Sequence, residues 1–158
     1  MRMEQTPQDV NESPEAVRKE VMFVLDTEGN KRARAEIFCI TSPMRLGYVR
    51  KIEVMNEQMS ERGQGYGSEM LEKVNQFLEE NNMVGILFNT AFTTVDMYDV
   101  KTRTPFREKI NLPHFYTNHG WKDFPVNPDW KTYRAEHFGI SAKQIWNAYL
   151  LLADRCNF

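Results

Sequence analysis

Three glycines lie at every second position between residues 63 and 67, in a chain that has only 8 glycines among its 158 residues. The segment before them, YVRKIEVM (48–55), alternates with the two-residue period of a β-strand. The segment after them, SEMLEKVNQFLEENN (68–82), repeats its apolar residues at the spacing of a helix. Because glycine accepts backbone angles that other residues avoid, this order predicts a strand that turns sharply into an amphipathic helix.

The segments around this unit predict the rest of a sheet. Two more β-like runs, 20–26 and 32–41, precede the strand at 48–55, and the turn residues between the runs favour an antiparallel meander. The mostly apolar run VGILFNTA (84–91) follows the helix and is typical of a buried strand parallel to the third one. Strand, helix and strand then form a βαβ unit, whose crossover is right-handed by default.

The next part of the chain has weaker patterns. Residues 92–110 have mixed charge and little periodicity, which favours a long excursion from the sheet. Residues 112–120 predict a short helix, with Pro113 in its first turn and Gly120 at its end. Residues 121–125 are strand-like.

The last segment predicts one more strand and a final helix. The strand covers residues 130–138 and the helix covers 141–157, where Ser141 and Gln144 match a capping box. The buried stripe expected on this helix comprises Ile145, Ala148, Tyr149 and Leu152. The aromatic residues of the region are expected to serve core packing.

Composition narrows the class of protein. A length of 158 residues with 41% hydrophobic residues predicts a single domain over residues 18–158, after a loose polar arm over 1–17. The formal net charge of −2 gives no electrostatic reason to expect nucleic acid or an anionic membrane as partner. The sequence has no apolar run of bilayer length and no signal-peptide pattern at its start, so we expect a cytoplasmic protein. Cys39 and Cys156 are too few for a disulfide framework and are expected to be reduced thiols.

The glycine turn, residues 62–68, has the properties of a phosphate site. The first amides of a helix lack intrahelical partners, and with the helix dipole they favour an anion by up to about 2 kcal/mol. Arg62 adds a cation and Ser68 adds a hydroxyl donor. Without a lysine the turn does not match a Walker A loop, and its GxGxG pattern after a meander disfavours the Rossmann fingerprint. A flexible turn without a ligand is the alternative that the spacing leaves open.

Two motifs together resemble one protein family. RGQGYG (62–67) is similar to the Arg/Gln-x-x-Gly-x-Gly/Ala element of the GNAT superfamily of acyl-CoA-dependent N-acyltransferases. FYTNHGW (115–121) looks like the Phe-Tyr-x-x-x-Gly-Phe element that follows in that family. The resemblance covers about residues 20–138. It implies an α+β fold of GNAT type, with three-layer character: a mixed, mostly antiparallel twisted sheet with a central, splayed pair of parallel strands and flanking helices.

The resemblance implies acetyl-CoA as cofactor. The 3 histidines have no carboxylate at the i, i+4 spacing within a predicted helix, so no metal site is expected. In the family, the glycine turn holds the pyrophosphate through backbone amides, and the preceding strand hydrogen-bonds the pantetheine arm. The implied cofactor-binding residues are Ile52, Glu53, Val54, Arg62, Gly63, Gln64, Gly65, Tyr66, Gly67 and Ser68. The family also has an asparagine that contacts the cofactor, and Asn89 and Asn111 are both candidates here.

The implied reaction is transfer of an acetyl group from acetyl-CoA to a primary amine by direct attack. Tyr116 matches the family's general acid, which protonates the departing thiolate; a phenol with a pKa near 10 is protonated at neutral pH. The alternative role for Tyr116 is a core aromatic beside Phe115. The acceptor is expected to be a small molecule or a protein amine.

The general base is the least constrained part of this prediction. Glu53 lies on the strand expected to face the substrate, and partial burial would suit it to accept a proton; an ordinary exposed glutamate is the alternative. Asp96 and Asp99 are rivals if the segment 92–110 folds over the site. His114 and His119 flank Tyr116 but are not chosen.

Other functions stay open. A non-catalytic acyl-CoA sensor or interaction module could use the same fold, and an adaptor with an empty glycine turn is a third possibility. The segment 92–110 could be a selectivity lid, a dimer contact or a disordered loop, and a homodimer is possible.

Overall fold

The computed structural model of this chain describes residues 17–54, 65–88, 92–99, 101–127 and 129–158. The arm predicted over residues 1–17 lies outside this part of the chain, apart from Val17. Val17 immediately precedes the first strand and packs against a hydrophobic cluster on one face of the sheet.

Strands and helices follow one another largely in the order that the hydrophobic patterns predict. The strands are β1 (Arg18–Leu25), β2 (Lys31–Ile40), β3 (Leu46–Val54), β4 (Val84–Phe88), β5 (Phe92–Asp99), β6 (Thr104–Asn111), β7 (Lys122–Asp123) and β8 (Trp130–Tyr133). The helices are α1 (Tyr66–Glu80), α2 (Leu112–Asn118) and α3 (Ala142–Cys156), with a 3-10 helix at Ala135–Phe138.

The main sheet is mixed and mostly antiparallel, as predicted. Its strand order is β1-β2-β3-β4-β8-β7. β3 and β4 are parallel, and every other neighbouring pair in this sheet is antiparallel. Because α1 connects β3 to β4, the predicted βαβ unit is present at the centre of the sheet. Helices flank the sheet on both faces, which confirms the predicted fold class.

The parallel pair β3–β4 separates before β3 ends. Its register runs only from Leu46 opposite Val84 to Val49 opposite Leu87. On its other side, β3 stays paired with β2 up to Val54, which lies opposite Ala33. Within the part of the chain that the structure describes, residues 50–54 therefore have no strand partner on the β4 side. A divergence of this kind leaves backbone donors and acceptors that an amide-containing ligand can pair with.

One face of the sheet carries α1. Four apolar residues of the predicted stripe on α1 are buried against the sheet, namely Met70, Leu71, Val74 and Leu78. Leu78 lies over two glycines that are opposite each other on the parallel strands, Gly47 and Gly85. A Cβ at Gly47 would lie 2.7 Å from Leu78 Cδ2, and a Cβ at Gly85 would lie 2.5 Å from Leu78 Cδ1. The two glycines thus form a recess that seats α1 close to the sheet.

The opposite face carries α3. Ser141 caps this helix: its hydroxyl accepts from the Gln144 amide, and the Gln144 side chain accepts from the Ser141 amide, which confirms the predicted capping box. Ile145, Ala148 and Leu152 are buried, whereas Tyr149 is only half-buried. The aromatic residues expected to serve packing do so on both faces, through ring contacts that include Trp121–Tyr133, Phe124–Trp146, Trp130–Trp146 and Trp130–Tyr149.

Two segments contain structure that the prediction lacked. β5 and β6 lie in the segment predicted to leave the sheet, and they pair with each other as a separate antiparallel two-stranded sheet. The sequence of this segment alternates only weakly between apolar and polar residues, so it did not indicate two strands. Residues 130–138 were predicted as one strand, but β8 ends at Tyr133 and a 3-10 helix follows. Arg134, between them, has a φ of 64°, in the left-handed region, which interrupts the strand.

Candidate active site

The described end of the glycine turn is the N-terminus of α1. Gly65 is the N-cap residue, with a φ of 85° and no neighbouring atom within 4 Å of the position that a Cβ would take. The first helical hydrogen bond runs from the Glu69 amide to the Gly65 carbonyl at 2.9 Å, and no side chain caps this end. The amides of residues 66–68 therefore precede the helical ladder and remain available to an anion. Arg62, Gly63 and Gln64 lie outside the described residues.

Gly67 is the position at which α1 comes close to β3 and to α2. It lies inside α1, and its φ is not in the left-handed region. A Cβ on Gly67 would lie 3.7 Å from Val54 Cγ2 and 3.9 Å from the Phe115 ring, which are ordinary van der Waals distances. Neither the backbone nor the packing of the described chain therefore requires glycine at this position. A close approach by a phosphate group is a reason that fits, since a Cβ would reduce the free volume beside the first amides.

The end of β3 supplies the next side of the site. Ile52 and Val54 lie opposite Ala35 and Ala33 of β2, which are buried on the α1 face. Ile52 packs against that core, while Val54 is 40% exposed at the strand end. The backbone next to them is the part of β3 that has separated from β4. The predicted pantetheine-binding residues are thus at the separated edge, beside the N-terminus of α1.

Glu53 alternates to the face of the sheet opposite α1. Its cross-strand partner is Arg34, and its carboxylate lies 3.5 Å from Arg34 Nη1 and 3.7 Å from Lys51 Nζ. Arg34 also pairs with Glu36 at 2.5 Å. The Glu53 side chain is 39% exposed. The Glu53 carboxylate is therefore shared between two cations. It lies on the face of the sheet opposite α1, where an acceptor could reach the gap between β3 and β4.

Tyr116 lies in α2, on the same side of the sheet as α1. Its ring packs against the core under α1 and contacts Phe115, with ring centres 5.4 Å apart, and Trp121, at 6.5 Å. Burial raises the pKa of the Tyr116 phenol above its usual value. The hydroxyl is therefore protonated at neutral pH, as a proton donor must be. Tyr116 therefore packs in the core, as the alternative role predicts, and it is the neighbour of Phe115, whose ring lies near Gly67.

The remaining candidates are less well defined. Asn111 ends β6, Asp96 and Asp99 lie in β5, and His114 lies in α2, and the structure describes only their backbones. Asn89 lies outside the described residues. The positions of these five side chains lie outside what the structure describes, so their roles stay predictions.

His119 is described, and its role is structural. Its Nδ1 is 2.9 Å from the carbonyl oxygen of Phe115, one turn earlier. A backbone carbonyl can only accept, so Nδ1 donates in this hydrogen bond. The ring also lies against the Phe115 ring, with centres 4.8 Å apart. His119 thus closes the end of α2.

Asn75, in the middle of α1, was not predicted to matter. Its side chain bonds to the segment that follows α2, through His119 and Trp121. Its position in the sequence carries a signal, because Asn75 lies four residues after Leu71 and three before Leu78, both buried. A polar residue at that spacing is on the edge of the apolar stripe and needs a partner inside the protein.

Among the residues that the structure describes, no group of three or more His, Cys, Asp or Glu side chains could hold a metal ion. In the same part of the chain, no helix is long and apolar enough to cross a membrane.

Comparison with known proteins gives matches to solved structures only, all at low sequence identity. No family model matches the chain, and no curated protein matches it. Among solved structures, the chain is similar to an acetyltransferase from Bacillus cereus ATCC 14579, with 16% identity, a TM-score of 0.44, and coverage of 75% of this chain and 73% of that one. It is similar to an acetyltransferase of the GNAT family from Staphylococcus aureus Mu50, with 15% identity, a TM-score of 0.44, and coverage of 73% and 66%.

A third similar structure is Chaetomium thermophilum Naa20 in complex with a bisubstrate analogue. The identity is 14%, the TM-score is 0.39, and the match covers 70% of this chain and 61% of that one. The chain thus spans less than two thirds of the Staphylococcus aureus and Chaetomium thermophilum proteins.

Proposed function

We propose that this chain is an N-acyltransferase of GNAT type that moves an acetyl group from acetyl-CoA to a primary amine. The observation that carries the proposal is the meeting of three elements at Gly67: the separated end of β3 at Val54, the uncapped N-terminus of α1, and α2 at Phe115. Tyr116 is the next residue of α2. These are the two motifs that resemble the family, and they lie side by side although about 50 residues separate them in the sequence.

In this proposal, the backbone of α1 and β3 binds the cofactor and Tyr116 donates a proton. The amides of residues 65–68 bind the pyrophosphate, helped by the positive end of the α1 dipole. The backbone of Ile52, Glu53 and Val54 orients the pantetheine arm along the free edge of β3. When bound, acetyl-CoA supplies a thioester carbonyl that a neutral amine can attack. Tyr116 Oη holds a proton that can pass to the departing sulfur.

Glu53 is the proposed base. Its carboxylate lies on the face opposite Tyr116, so the amine would enter from the Glu53 face and the thiol would leave on the Tyr116 face. Arg34 and Lys51 hold this carboxylate in place. In this scheme Glu53 accepts the proton that the amine loses, and Tyr116 donates a separate proton to the departing sulfur.

Calorimetry with coenzyme A tests the binding site. Gly65→Val should weaken binding at least tenfold, because the side chain occupies the space in front of the free amides. Gly29→Val is the matched control: Gly29 has a φ of 86° and also has no atom within 4 Å of its Cβ position, but it lies in the β1–β2 turn. Both variants should lose similar stability, and Gly29→Val should bind as the wild type does.

A second variant tests the sign of the charge effect. Glu69 is an exposed carboxylate in the first turn of α1. Its replacement by glutamine should tighten coenzyme A binding about two- to fivefold at low salt, because a competing negative charge leaves the helix end. The gain should shrink at high salt. Unchanged affinity at low salt would contradict binding at this helix end.

A thiol-release assay with a panel of amines decides the chemistry. Release of free coenzyme A that depends on an amine supports the acyltransferase. Saturable coenzyme A binding without release from any amine would favour the acyl-CoA sensor, and no heat with millimolar coenzyme A would favour the adaptor.

A further inference from the structure

The C-terminal end of α2 is closed by two backbone hydrogen bonds. The Gly120 amide donates to the Thr117 carbonyl at 3.1 Å, and the Trp121 amide donates to the Tyr116 carbonyl at 3.1 Å. Gly120 has a φ of 90°, which lets the chain reverse here. This is the hydrogen-bond pattern of a Schellman motif. Trp121, the residue that completes the motif, is thereby tied to Tyr116.

Asn75 reaches this closure from α1 with both ends of its side-chain amide. Its Nδ2 donates to the His119 carbonyl at 2.9 Å, and its Oδ1 accepts from Trp121 Nε1 at 2.8 Å. An indole nitrogen can only donate and a backbone carbonyl can only accept, so the partners define the orientation of the amide. Trp121 is 1% exposed. Loss of Asn75 would therefore leave a buried indole N–H without its partner, which proteins rarely tolerate.

The two hydrogen bonds of Asn75 constrain the rotation of α2 in a way that apolar packing does not. Phe115, Tyr116 and Trp121 pack against the core under α1. Apolar contact is non-directional, so it keeps α2 on α1 but does not define how α2 is rotated. Hydrogen bonds are directional. Moreover, α2 has only seven residues, too few for a helix to be rigid by itself.

We propose that Asn75 is a positioning residue that sets the rotation of α2 relative to α1 and so aims the Tyr116 hydroxyl. The proposal rests on the proposed function, in which α1 binds the cofactor at its N-terminus and α2 carries the acid. Asn75 joins these two helices through the segment that closes α2. It touches no reacting atom and acts through Tyr116.

Kinetics of Asn75 variants test the role. Asn75→Ala removes both hydrogen bonds and should lower kcat at least about tenfold, because small misplacements of a catalytic group can reduce rates up to about a hundredfold. The KM for acetyl-CoA and the dissociation constant of coenzyme A should stay within about twofold. Gln76→Ala is the matched control, since Gln76 is the next residue but is exposed and bonds to Glu80; its kcat should equal that of the wild type.

A double variant separates positioning from general stability. If Asn75 acts by aiming Tyr116, then Tyr116→Phe should lower kcat much less in the Asn75→Ala background than in the wild type. A residue that only stabilises the fold would leave the effect of Tyr116→Phe the same in both backgrounds. Equal effects, or a kcat of Asn75→Ala equal to that of Gln76→Ala, overturn the proposal.

A measurement without substrate keeps the two proposals apart. Hydrogen exchange followed by NMR should show faster exchange of the Trp121 indole N–H in Asn75→Ala. Asn75→Asp can still accept from the indole but cannot donate to the His119 carbonyl, so the indole should stay protected while the amides of His119 and Trp121 exchange faster. This variant also serves if Asn75→Ala does not fold.

The outcomes are distinct. A wild-type protein that transfers no acyl group refutes the proposed function, and the exchange data then decide alone whether Asn75 holds α2. An active wild type with unchanged kcat and exchange in both Asn75 variants refutes the positioning role and leaves the acyltransferase in place.

Discussion

Replacing Gly47 with alanine should destabilise the protein, mainly through its contact with Leu78. The added Cβ would lie 2.7 Å from Leu78 Cδ2 and 3.3 Å from Ile37 Cγ2. Leu78 is fully buried, so it can move aside only by leaving its rotamer or by shifting α1. Overpacking of this kind costs about 1–3 kcal/mol of the free energy of unfolding.

A double-mutant cycle isolates this contact. Leu78→Ala alone should cost about 2–5 kcal/mol, because it leaves a cavity over the glycine recess. With the leucine gone, the methyl group that Gly47→Ala adds has space and fills part of the cavity, which is worth up to about 0.8 kcal/mol for a buried carbon. The two changes should therefore be non-additive, with the double variant about 1–4 kcal/mol more stable than the sum predicts.

Urea unfolding measures these free energies. With a slope of about 2 kcal/mol per molar urea, a loss of 2 kcal/mol moves the midpoint by about 1 M. If Gly47→Ala costs the same in the presence and absence of Leu78, within about 0.5 kcal/mol, the recess does not seat α1 in the way that the distances indicate. An unchanged slope in all four proteins is the control for two-state behaviour.

Three further predictions concern the site and the pH response. Tyr116→Phe should lower kcat by about 10²–10³ while coenzyme A affinity measured by calorimetry stays nearly constant, and full activity would exclude the general acid. Glu53→Gln should lower kcat at least tenfold in the thiol-release assay, whereas Glu36→Gln, which removes the other carboxylate paired with Arg34, should not; equal effects would exclude the base. Hydrogen bonds lower the pKa of Asp26 to about 2, and the largest contribution comes from the backbone amide of Asn30. Because the folded-state pKa is depressed, the stability advantage of the wild type over Asp26→Asn should be complete above about pH 4 and fade toward pH 2, as urea titrations at several pH values would reveal.

The amino-acid sequence was sufficient for most of the element order. The period-2 alternation of β1, β2 and β3, the apolar stripe of α1 and the capping box of α3 are local patterns, and each predicted element is present. The two motifs also predicted that the glycine turn and the segment around Tyr116 belong to one site. The sequence could not show that Gly67 lies against Val54 and Phe115, because that contact joins three elements.

Packing between distant segments decided the rest. Glu53 was predicted as a possible base, but only the sheet register shows that it shares Arg34 with Glu36 and lies on the face opposite Tyr116. β5 and β6 pair with each other along their whole length, and the weak periodicity of that segment did not predict this pairing. Asn75 acquired its role from a tryptophan 46 positions away. Local periodicity reflects the geometry of one element at a time, whereas hydrogen-bond partners and faces depend on how elements meet in space.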